Sequence, residues 1–202
     1  MMKKSLTVLA LAGLATGAMG QDFSLSLIAN ASTIDTTGGA VTFTMTVIGD
    51  ASVGTHMLGG AFSLESNGDC IANMQWNNAS WSAFNTDGGF AGDGDYNEVI
   101  FGQLVIPGVP PFDVPAAGSD LGMAIGSFTV TMEAGVGDFP IEFNLVEASP
   151  FSLEVLDLGT GNTFNSSQGN LTLNGATLNV VPNPSTISVF GCLGLLATRR
   201  RR

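Results

Sequence analysis

The run Asp93, Gly94, Asp95, Tyr96, Asn97, Glu98 is the segment of this 202-residue chain best suited to holding a cation. Oxygen side chains at alternate positions, here Asp93, Asp95 and Asn97, are what Ca²⁺ needs to gather its six to eight ligands. The run begins like an Asp-x-Asp-x-Asn calcium loop and then departs from it. Glu98 stands where that loop requires Gly, and Leu104 where it requires a bidentate Glu. The preferred reading is a solvated Asp/Gly turn before a strand from Val99 to Val105, with Ca²⁺ on those three side chains as the alternative.

Other chemistry is sparse. His56 is the single histidine, so a Ser-His-Asp arrangement is formally open, but no nucleophile-elbow motif accompanies it. Carboxylates are plentiful enough for a secreted glycoside hydrolase, yet no spacing selects a pair. Trp76, Trp81 and Tyr96 are candidates for stacking on sugar rings, with Asn77, Asn78 and Asn85 to bond hydroxyls. Two tryptophans five residues apart also suit the plugged end of a β-sandwich, and that is the preferred reading.

Charge sets the outer limits on function. The chain carries 17 acidic and six basic residues, and every basic one is terminal: Lys3, Lys4, Arg199, Arg200, Arg201 and Arg202. The stretch between therefore lacks Schiff-base lysines, arginine clamps for phosphate and cationic patches for nucleic acid or anionic lipid. Partners are expected to be neutral or cation-bridged. The acidic side chains have no Lys or Arg to pair with, which predicts a domain stabilised by salt or Ca²⁺.

The two basic clusters flank apolar runs. Lys3 and Lys4 precede Leu6 to Ala15, and Ala18, Met19, Gly20 form a small-x-small site before Gln21, the pattern of a signal peptide over residues 1–20. At the other end Val181, Pro182, Asn183, Pro184 and Ser185 lead into the apolar run Ile187 to Ala197, and Arg199 to Arg202 follow. Basic clusters outside apolar runs are retained on the cytoplasmic side. The body between them is expected outside.

This terminus, residues 181–202, resembles the sorting signal of the PEP-CTERM family of bacterial exported proteins, which has a Val-Pro-Glu-Pro motif, a transmembrane stretch and a basic cluster. Position 183 is Asn where that family usually has Glu. The resemblance implies cleavage near Pro182 to Ser185 by an exosortase-like protease, transient inner-membrane anchoring, and an envelope or extracellular destination beside exopolysaccharide. Ser185 to Thr198 would make a helix of roughly 21 Å at 1.5 Å per residue, short against a hydrocarbon core of about 30 Å. That length suits an anchor held until cleavage, with arginine snorkelling and local thinning.

Residues 21–180 must then supply the fold. Phe23, Leu25, Leu27; Val41, Phe43, Met45, Val47; Phe128, Val130, Met132; and Ile141, Phe143, Leu145 alternate with polar neighbours, the period of half-buried strands. Turn signals separate them, among them Gly38, Gly39, Asp87 to Gly89 and an Asn174, Gly175 hairpin pair. The expectation is an all-β, antiparallel sandwich of about eight or nine strands, of jelly-roll or Greek-key type. A single helical turn is expected at Asn77 to Phe84, a surface connection at Pro107 to Pro115, and a short hydrophobic helix at the C-terminus.

Cys70 lies in the body and Cys192 in the tail, so no internal disulfide is expected and Cys70 should be a small buried residue. The order of elements resembles the cohesin and carbohydrate-binding-module sandwiches, on the Gly59, Gly60, Ala61, Phe62 strand entry and a late Asn170 to Val180 hairpin. Three functions follow as expectations: a non-catalytic surface or matrix protein, a carbohydrate-binding module, and a secreted hydrolase. The first is preferred, because no catalytic constellation is legible.

Overall fold

The computed structural model describes residues 20–135 and 139–181. In chain order the strands are β1 (Asp22–Ala29), β2 (Thr33–Asp35), β3 (Val41–Ala51), β4 (His56–Ser66), β5 (Ile71–Asn78), β6 (Thr86–Asp87) and β7 (Phe90–Gly92). They continue as β8 (Asp95–Gly102), β9 (Ala124–Met132), β10 (Pro140–Glu147), β11 (Glu154–Asp157), β12 (Asn162–Asn165), β13 (Asn170–Asn174) and β14 (Ala176–Val181). Among the described residues the helical content is one 3-10 turn, Ser166–Gln168.

The all-β sandwich is as expected. A five-stranded sheet has the order β13-β1-β3-β9-β5, and a nine-stranded sheet runs β12-β11-β4-β10-β14-β2 with β8, β6 and β7 on the other flank of β4. Two pairings are parallel, β1 with β13 and β14 with β2. The strand count exceeds the expectation because short strands such as β6, β7 and β2 border the sheets. They hold too few residues to display a period.

Alternation does the work of building the core. Phe23, Leu25 and Leu27 of β1, Phe43, Met45 and Val47 of β3, and Phe128, Val130 and Met132 of β9 all point inward and are buried. Phe62, Leu64, Phe101, Ile141 and Phe143 meet them from the larger sheet. Phe43 and Phe143 make an edge-to-face contact across the layers at 6.3 Å between ring centres. Edge-to-face aromatic contacts of this kind add to burial itself.

The same period turns the polar residues outward in register. Thr42, Thr131 and Asn73 stand in one row, Thr44, Thr129 and Gln75 in the next, and Thr46, Ser127 and Asn77 in a third. These rows cross β3, β9 and β5 on the outer face of the smaller sheet.

Three local expectations are corrected. Asn77 to Phe84 is not helical: β5 runs to Asn78, and only a turn follows, closed by the Ser82 amide donating to the Ala79 carbonyl at 3.1 Å. An extended path lets Trp76 and Trp81 both enter the core. Asn174 and Gly175 are not a hairpin, because β13 pairs with β1 while β14 pairs with β10 of the other sheet. They form a corner, where a Cβ on Gly175 would lie 2.3 Å from the Phe143 carbonyl oxygen. The strand placed at Val99 to Val105 is β8, which starts at Asp95 and ends at Gly102.

The connection through Pro107 to Pro115 runs over the surface between β8 and β9, and so joins the two sheets as expected. Cys70 is buried and free, and burial pushes its thiol up from the ordinary value. No helix among the described residues is long and apolar enough to cross a membrane.

Candidate functional site

Asp93 and Gly94 turn the chain from β7 into β8, both with left-handed φ, 52° and 82°. Asp95 then accepts the Ser66 amide on Oδ1 at 2.9 Å, and Asn97 donates Nδ2 to the Gly88 carbonyl at 3.2 Å. Both side chains are committed to backbone. Asp95 and Asn97 line one open depression of about 350 Å³ with Glu65, Glu98 and Ser63, and Asp93 lies outside it. Among the described residues no group of three or more His, Cys, Asp or Glu is placed to hold a metal ion.

The three aromatic candidates are core residues. Trp76 packs on Phe128 at 4.8 Å and edge-on to Phe62 at 5.5 Å. Trp81 donates Nε1 to the Ala124 carbonyl at 2.8 Å, across the sandwich end. Tyr96 accepts the Trp76 amide and donates to Asp87, and burial together with that carboxylate pushes its phenol up to about 12. With exposures of 3 to 4%, none presents a ring face to a sugar.

His56 Nε2 lies 3.2 Å from Asp120 Oδ1, and its Nδ1 meets Thr55 Oγ1 at 2.9 Å. This looks like a hydroxyl–imidazole–carboxylate line, but Thr55 Oγ1 is occupied. It donates to the Leu156 carbonyl and accepts the Leu158 amide, both at 3.1 Å. The cluster fastens the long β8–β9 connection to β4 and β11. It offers no free nucleophile.

The feature that the sequence reading missed lies on the outer face of the larger sheet. Gly59 and Gly102 are register partners on β4 and β8, so the sheet there is bare backbone. Gly60 allows the segment before β11 to press close, since a Cβ on it would lie 2.1 Å from the Ser152 carbonyl oxygen. Ser149, Pro150 and Phe151 thereby wall one side, and Phe84 and Ile100 the other, of a groove of about 280 Å³. Phe84 is 59% and Ile100 41% exposed. Glycines inside a strand pattern signal close backbone approach, and Gly59, Gly60 and Gly102 were that signal.

Two carboxylates rim this groove, Glu98 and Glu154. Burial alone raises the Glu154 carboxyl above the ordinary value. Glu98 also lines the acidic depression described above, so the two hollows adjoin. Beyond the groove, the β8–β9 connection exposes Leu104, Ile106, Val109, Phe112 and Val114. The groove is thus largely apolar and the depression that adjoins it acidic.

Of the processing residues, Gly20 and Gln21 stand at the start of the described chain and Val181 ends β14. Ala18, Pro182, Asn183, Pro184, Ser185 and Arg199 to Arg202 lie outside the described residues, as does the expected C-terminal helix.

Among solved structures the fold is similar to cohesin modules. The seventh ScaB type I cohesin of Pseudobacteroides cellulosolvens aligns over 81% of this chain and 93% of its own at 10% identity, with a TM-score of 0.50. A cohesin module from a family 33 glycoside hydrolase of Clostridium perfringens covers 80% of this chain and 96% of its own at 12% identity and a TM-score of 0.42. A cohesin from a type I cohesin–dockerin complex of Clostridium thermocellum covers 78% and 99% at 10% identity, with a TM-score of 0.46. No family model and no curated protein matches the chain. At these identities the likeness concerns the sandwich alone, and at that level it agrees with the cohesin resemblance drawn from the sequence.

Proposed function

We propose that this protein is an exported, non-catalytic binding module of the cell surface or extracellular matrix, which docks a protein partner on the outer face of its larger sheet. The groove between Phe84, Ile100 and Phe151, rimmed by Glu98 and Glu154, carries the reading. Exposed apolar side chains gathered at a concave site mark interaction surfaces. Carboxylates with no Lys or Arg in the body of the chain to pair with favour a partner that brings basic groups to an apolar patch.

The ends complete the proposal. Signal peptidase cuts between Gly20 and Gln21, and an exosortase-like protease cuts near Pro182 to Ser185 after transient anchoring in the inner membrane. The product stays with the envelope or enters an exopolysaccharide matrix. What supports this is the confinement of every basic residue to the flanks of two apolar runs.

The docking claim is tested by cross-linking the protein in its native host and comparing wild type with Ile100→Glu and Phe84→Glu. A partner that cross-links to wild type, and at least tenfold less to both variants at unchanged melting temperature, is the expected result. Equal cross-linking of all three contradicts the assignment of this face.

A further inference from the structure

We infer that the outer face of the five-stranded sheet is a second binding surface, and that its ligand is a neutral polysaccharide. The three rows that cross β3, β9 and β5 consist of threonine, serine, asparagine and glutamine only. In a chain with 17 acidic residues these rows hold no carboxylate. The acids next to this face flank the rows: Asp50 of β3 and Asp22 of β1 lie beyond the third row, and the exposed Glu133, which follows β9, lies beyond the first.

The chemistry of the rows suits a hydroxylated polymer. Adjacent strands are about 4.8 Å apart and same-face residues about 6.8 Å apart along a strand, so the hydroxyls and amides form a regular grid. Part of it is already fixed: Thr42 and Thr131 share a hydrogen bond at 3.2 Å, and Asn77 donates to Thr129 at 3.0 Å. Each Ser or Thr hydroxyl has one donor and two acceptor sites, so capacity remains for a ligand. Ile28, exposed and paired with Thr46, and the nearby Ile48 add methyl surface to that of the threonines. Pyranose rings present the same mixture of hydroxyl edges and C–H faces.

Charge selects among occupants. A polyanion, or a second copy of this acidic chain, would be opposed by the field of the body, whereas a neutral glycan would not. The inference rests on the matrix reading only for the presence of such a glycan; the surface is on the opposite sheet from the groove, so the two stand or fall separately.

The test is co-sedimentation of the purified protein with insoluble cellulose, chitin and curdlan, beside calcium-free alginate resin as the anionic control. Thr129→Glu places a charge mid-face, and the Thr44→Val, Thr129→Val pair removes hydroxyls while keeping β-branched shape. Sedimentation with at least one neutral polysaccharide, lost with Thr129→Glu, weakened about fivefold or more with the valine pair, and kept with Ile100→Glu, is the expected result. Failure to sediment with any of the three, equal retention on alginate, indifference to the threonine variants, or loss only with Ile100→Glu would each overturn it.

Discussion

Tyr96 donates its hydroxyl to Asp87 Oδ1 at 2.7 Å, and so holds β8 to β6 from inside the core. The same oxygen accepts the Trp76 amide at 3.1 Å, which gives the outer edge of β5 a partner it lacks from any strand. One phenol thus secures two sheets.

Tyr96→Phe is therefore expected to cost about 1–3 kcal/mol, because it leaves the buried Trp76 N–H unpaired. Trp76→Ala, which empties the space against Phe62 and Phe128, is expected to cost about 3–5 kcal/mol. Urea unfolding measures both. A Trp76→Ala protein of native stability that had lost glycan binding would place that ring on the surface and contradict its burial.

Glu154 gives a pH dependence of definite sign. Its carboxyl titrates above the ordinary value of 4.5 because the folded state buries it. The folded protein therefore binds this proton more tightly than the unfolded chain, and stability falls as pH rises from 4.5 through the raised value. Glu154→Gln should melt higher than wild type at pH 7, with the gain disappearing below pH 4.5. Asp157 has the opposite sign: hydrogen bonds from Thr160 and the Gly159 amide lower its carboxyl. Its contribution is present at neutral pH and lost as pH falls through the lowered value, so Asp157→Ala should be destabilising at pH 7 and neutral in strong acid.

The excess of carboxylates over cations in the body predicts a melting temperature that rises with salt. Raising sodium chloride from about 10 mM to about 0.5 M shortens the screening length from roughly 30 Å to a few ångströms. Melting curves in sodium chloride, and in millimolar calcium against a chelator, check this. Flat responses in both series would remove self-repulsion as a factor.

The sandwich was legible because Phe43, Met45 and Val47 against Thr42, Thr44 and Thr46 admit one reading, a strand with a wet and a dry face. Strand partners were not legible in the same way. Asn174 and Gly175 carry the residue types of a tight turn, yet they serve a corner between sheets, since glycine answers the approach of the Phe143 carbonyl as readily as it answers a turn. The helical turn expected at Asn77 to Phe84 is replaced by the end of β5 and a turn, a path that lets Trp76 and Trp81 both enter the core. The groove was the least legible feature. It depends on Ser152 lying over Gly60 and on Gly59 facing Gly102, contacts between residues far apart in sequence.

Export with removal of both cationic ends is the central proposal, and the intact mass of the product isolated from its native host tests it most directly. The account predicts a chain that begins at Gln21 and ends between Val181 and Ser185, with or without an attached group. A full-length 20.7 kDa chain of 202 residues, recovered from the cytosol with Lys3 and Arg202 in place, would contradict it.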